Sequence, residues 1–63
     1  GGNDRRKDVQ QHILDIISNA GGEVELKTIE TLAADQSNFY LSVLREMIDE
    51  GTVILTGSTI KKV

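Results

Sequence analysis

The stretch from Ser37 to Val63 limits this chain more than any other. Tyr40, Val43, Leu44, Met47 and Ile48 recur at i, i+3, i+4, i+7 and i+8, which lines them along one face of a helix. Gly51 stops that helix, because glycine enters the left-handed conformation without a Cβ penalty. Two short β-rich runs follow, Val53-Ile54-Leu55-Thr56 and Thr59-Ile60-Lys61-Lys62, and they meet at Gly57-Ser58, a pair suited to a type II′ turn. A helix therefore runs directly into a hairpin. In that register Val53, Leu55 and Ile60 share one face, while Ile54 and Val63 lie on the other. A hairpin apolar on both faces needs partial cover from the first helix and the 23–25 segment, or else a register shifted by one.

Upstream, the spacing predicts two more helices. The first starts near Asp4, whose carboxylate can cap free N–H groups, and carries Val9, Ile13, Ile16, Ile17 and Ala20 on one stripe until Asn19-Ala20-Gly21-Gly22 ends it. Glu23-Val24-Glu25 reads as a short extended piece with Val24 turned inward. The second helix runs from about Leu26 to Ala34 and buries Leu26, Ile29, Leu32 and Ala33, the last small enough to let a crossing helix approach. A link of four residues or fewer, Ala34-Asp35-Gln36-Ser37, forces a sharp crossing, with Ser37 as N-cap of the third helix. The expected class is α+β, mostly α: three helices, one short strand and a C-terminal hairpin. Residues 1–3 are expected to be a disordered remnant, and residues 4–63 one domain taken from a longer protein.

Composition excludes several functions. A chain of 63 residues buries only roughly 60% of its unfolded surface, which leaves little room for a deep cleft. It has no cysteine and a single histidine, so thiol chemistry and thiolate metal sites are absent, and a metal would rest on carboxylates around His12 alone. His12, with Asp8 and Asp15 in helical reach, reads as an ordinary surface histidine. No apolar run approaches the roughly 20 residues that span a bilayer. No nucleophile, base and orienting group occur at recognisable spacing, and Gly21-Gly22 lacks the rest of a phosphate loop. The expectation is a cytoplasmic, non-enzymatic, monomeric domain without cofactor or metal.

The element order, together with Tyr40, Leu44 and Met47, then Gly51, then Val53, resembles the winged-helix superfamily over residues 4–63. More narrowly, Gln36-Ser37-Asn38 leading into Val43-Leu44-Arg45-Glu46-Met47, followed by Gly51 and Ile60-Lys61-Lys62-Val63, is similar to the C-terminal winged helix of archaeal minichromosome maintenance (MCM) replicative helicases. That resemblance implies a small tethered module that modulates a hexameric ATP-driven motor, with catalysis elsewhere in the parent. The hairpin tip, Thr56-Gly57-Ser58-Thr59, departs from the family in lacking a charged or proline-bearing insert. Gly21-Gly22-Glu23-Val24-Glu25-Leu26 also resembles the winged helix of archaeal cell-division proteins related to the endosomal sorting machinery.

The third helix of such a fold is where a DNA reader would place its side chains. The face left outside the core stripe carries Asn38, Phe39, Leu41, Ser42, Arg45, Glu46 and Asp49, of which only Asn38, Ser42 and Arg45 suit base edges. Arg45 stands against Glu46, Asp49 and Glu50, a local net charge of −2, and the whole chain carries −3. Such a balance removes the long-range attraction on which non-specific DNA affinity rests. Phe39 and Leu41 are the apolar members of that face and read as an outward docking pair, or singly as residues packed under a neighbour. The partner-binding candidates are therefore Asn38, Phe39, Leu41, Ser42 and Arg45. Arg5, Arg6 and Lys7, framed by Asp4 and Asp8, are weak phosphate-contact candidates, as are Lys61 and Lys62 on opposite hairpin faces. The expected function is regulation by docking onto other domains or subunits of the parent, with weak DNA contact at most and no membrane. A DNA-binding transcription regulator and a docking domain of a cell-division protein are the alternatives.

Overall fold

Val9, Ile13 and Ile17 recur every four residues and hold α1 (Gly2–Asn19) against the rest of the chain. The structure, a computed structural model, describes residues 2–63, with side chains from Asp4 onward. The helix is under way two residues before the expected start. Of the segment expected to be disordered, Gly2 and Asn3 have helical backbone, and Gly1 lies outside the described residues. At the other end the N–H of Gly22 donates to the Ile17 carbonyl at 2.9 Å and that of Gly21 to Ser18 at 3.1 Å. This paired closure ends the helix one residue before Ala20, which is exposed instead of completing the stripe.

After β1 (Glu23–Glu25), with Val24 inward and both glutamates outward, α2 (Leu26–Ala33) is two turns long. Its inward stripe is Leu26, Ile29 and Ala33. Leu32, expected in the core, is 57% exposed, because at 100° per residue it falls off the edge of that stripe. A single 3₁₀ turn, Ala34–Gln36, then reverses the chain into α3 (Ser37–Glu50). Ser37 is not the N-cap expected. It already has helical dihedrals (φ −56°, ψ −39°) and its N–H bonds the Ala34 carbonyl, so no extended residue precedes the helix from which a hydroxyl could fold back. The tight reversal sets Ala34 at φ 54°, the one non-glycine with positive φ among the described residues. Gly51 closes α3 at φ 82°, donating to Ile48 while Thr52 donates to Met47, the same pattern that ends α1.

The hairpin of β2 (Val53–Thr56) and β3 (Thr59–Lys62) joins β1 in an antiparallel sheet of order β1-β3-β2. Val24 pairs with Ile60, and Ile60 with Leu55. Gly57, at φ 62°, opens the turn, and Ser58 keeps negative φ, as a II′ geometry requires. The expected register therefore holds, and cover falls on one face only. Val53 and Ile60 are buried under the helices, whereas Ile54 and Val63 face outward and are exposed. The core gathers Val9, Ile13, Ile17, Val24, Ile29, Val43, Leu44, Met47, Val53 and Ile60. The result is a mostly helical α+β fold with a small three-stranded sheet. No described helix is long and apolar enough to cross a membrane.

Two stability measurements check this packing. Leu44 is 1% exposed where α3 meets the other layers, so Leu44→Ala should cost about 2–5 kcal/mol. A domain of this length holds roughly 3–9 kcal/mol in total, so the variant should be largely unfolded or melt far below the parent. Melting within a few degrees of the parent would refute the assigned face. Ala34→Gly should act in the opposite direction, because removing the Cβ relieves a left-handed conformation that costs about 1–3 kcal/mol and outweighs the entropy glycine adds to the unfolded chain. The urea midpoint should rise, by the equivalent of roughly 1 kcal/mol.

Candidate docking surface

α3 presents two different flanks, and the candidates divide between them. Phe39 and Leu41 are two residues apart, which on a helix places them about 200° from each other. The structure bears this out: both are half-buried and packed against the core, on separate sides. They do not form one outward pair.

Phe39 turns toward α1. The guanidinium of Arg5 lies 5.0 Å from its ring centroid and that of Arg6 lies 5.5 Å away, within the range of cation–π attraction. Arg5 Nη2 also donates to Gln36 Oε1 in the 3₁₀ turn. Arg6 grips Glu46 as a fork, Nη2 to Oε1 at 2.6 Å and Nε to Oε2 at 3.2 Å. Two of the five cations expected to meet phosphate, Arg5 and Arg6, are thus engaged across the interface of α1 and α3. At the next residue of α3, Tyr40 and His12 Nδ1 share a hydrogen bond of 2.6 Å, with rings edge to face at 5.5 Å. His12 therefore bonds to α3, while Asp15, one of its expected neighbours, accepts from Gln11 Nε2 at 3.0 Å. A sequence pattern read helix by helix misses such contacts, because they depend on how α1 and α3 cross.

The opposite flank is a groove between α3 and the hairpin. Leu41, Leu44 and Ile48 line it from α3, Leu26 and Leu55 close it, and Arg45 and Asp49 stand on its rim. Leu55 and Ile48 were legible only as core positions. They line a surface because the hairpin splays over α3 and leaves Leu55 41% exposed. Asn38, Ser42 and Arg45 are exposed as expected. Among the described residues neither Arg45 nor Asp49 makes an ion pair, so the rim offers one charge of each sign to a partner.

The remaining cations are scattered. Lys7 is exposed beside Arg6 and Glu46. Lys61 pairs with Glu23 at 3.9 Å on the outer sheet face, and Lys62 lies on the other face of the same strand. Arg45, Lys7 and the hairpin lysines come from three elements and form no stripe that could follow a nucleic-acid backbone. The geometry suits contact with an apolar group flanked by polar ones. No protein-family model, curated protein or solved structure matches this chain.

The Arg6–Glu46 fork is partly exposed, at 29% and 48% of the two side chains, so its coupling should be that of a surface pair. A double-mutant cycle with Arg6→Gln and Glu46→Gln should give about 0.2–1 kcal/mol, shrinking as salt rises. Zero coupling at low salt would show that the arginine is not held on α3.

Proposed function

We propose that this chain is a winged helix that regulates by docking, without catalysis of its own, and that touches DNA weakly at most. The fold reading is supported by the order helix, strand, helix, helix, hairpin and by a sheet in which the last strand lies between the other two. The observation that carries the functional reading is the pairing of an apolar groove with an electrostatically poor α3. Arg45 is the one cation of that helix, and it stands among Glu46, Asp49 and Glu50. Arg5 and Arg6, which could have compensated, are turned onto Phe39 and Glu46. A DNA reader needs cations facing outward together, because counterion release scales with the phosphates neutralised.

In this reading the groove of Leu41, Ile48 and Leu55 receives an apolar anchor from another domain or subunit of a parent protein, with Arg45 and Asp49 fixing its orientation. The parent that the sequence resembles is an archaeal MCM replicative helicase, in which ATP hydrolysis would belong to other domains. Removing the module from such a parent would alter the rate of the motor and leave hydrolysis present.

Fluorescence anisotropy with labelled duplex separates this reading from a DNA-binding one. Binding should be weak, indifferent to sequence and lost at physiological salt. Sub-micromolar affinity at physiological salt, sensitive to Arg45→Ala, would overturn the docking reading in favour of a transcription regulator.

A further inference from the structure

β2 lies at the edge of the sheet and pairs on one side only, with β3. The Val63 N–H donates to the Thr52 carbonyl, and antiparallel pairs alternate between bonded and non-bonded. Thr52, Ile54 and Thr56 therefore direct their backbone groups toward β3. Val53 and Leu55 direct N–H and C=O away from it, and among the described residues no strand or loop meets them.

The two edges of the sheet are treated differently. β1 carries Glu23 and Glu25, both exposed, charges of the kind that discourage a further strand. β2 has no charge, no proline and no break in register, and it exposes Ile54 (51%) and Leu55 (41%). With its flanking residues the strand reads nearly alike in both directions: Gly51-Thr52-Val53-Ile54-Leu55-Thr56-Gly57.

We infer that a second copy of this chain pairs with β2 about a two-fold axis through Ile54, joining two three-stranded sheets into one. In that register Ile54 meets its counterpart, Val53 meets Leu55 and Thr52 meets Thr56, while Gly51 and Gly57 lie beyond the paired stretch. Threonine against threonine and aliphatic against aliphatic are stabilising cross-strand pairs. The axis runs perpendicular to the sheet, so both cores stay on the same side and the interface is self-complementary. Val53 and Leu55 form the bonded pair, so the outward N–H and C=O groups each find their complement. A foreign extended strand could use the same backbone groups, but the near-palindrome and the absence of charge from Gly51 to Ile60 match a second copy. Two chains of charge −3 repel at long range, so this association strengthens as salt is added. The inference rests on the backbone of the edge strand and needs no occupant in the docking groove, with which it shares the side chain of Leu55.

Sedimentation equilibrium from about 10 µM to about 1 mM, at low and high salt, reads the association directly. The expected result is a reversible monomer–dimer equilibrium favoured by salt. A synthetic chain with N-methyl-Leu55 keeps the side chain and the bonds to β3 but loses one outward N–H; it should stay monomeric with unchanged melting when dilute. Ile54→Lys, at an exposed position, should weaken association about tenfold or more. If N-methylation alters folding, Ile54→Lys alone decides. A chain that stays monomeric at about 1 mM in high salt, or a dimer indifferent to Ile54→Lys, overturns the inference.

Discussion

Every other layer depends on β3 lying between β1 and β2. Neither outer strand pairs with anything else in the sheet, and Ile60, fully buried at the centre of β3, faces Val24 on one side and Leu55 on the other. It shares one core with Ile13 and Ile17 of α1 and Leu44 and Met47 of α3. A strand that supplied hydrogen bonds to only one neighbour would leave either the start of α2 or the end of α3 untethered. Because it serves both, the short helices need little stability of their own, which an isolated eight-residue helix such as α2 would not have.

The fold was largely legible because its signals are local. Apolar spacing placed the three helices and the inward valine of β1, and Gly21, Gly51 and Gly57 each mark a place where the backbone takes positive φ. The misses share a cause. Ala20, Leu32 and Ser37 all sit at helix ends, where a shift of one residue moves a side chain by about 100° and propensity cannot decide between cap and first turn. Ala34 carries no sequence mark of its left-handed geometry, since the reversal it serves is imposed by the packing of α2 on α3. The site was less legible. That Phe39 and Leu41 point apart follows from helical geometry alone, but that Arg5 and Arg6 cover one and the hairpin shelters the other depends on contacts between distant segments.

Charge reads differently once the chain is folded. From the sequence, Arg5, Arg6 and Lys7 form a basic cluster, and Arg45 is a candidate reader of bases. In the structure two of the cluster reach from α1 to an aromatic ring and a carboxylate of α3, and Arg45 has Glu46 and Asp49 near it in sequence. What remains on the surface around α3 is a strip of apolar groups with mixed charge at its edge. On the reading proposed above, such a surface would select for shape and desolvated contact, whereas a polyanion selects for cation density.

The hairpin tip has one further consequence. Ser58 and Thr59 both donate their hydroxyls to the Glu25 carboxylate, at 2.9 and 3.3 Å, and the Ser58 carbonyl accepts from the Leu26 N–H at 2.7 Å. Three bonds thus fasten the turn to the junction of β1 and α2. A hairpin held only at its base would sample many orientations and would lose that freedom on meeting a partner. Fastened at both ends, it behaves as a strut that moves with the helices, so its contacts are made by a surface already in place.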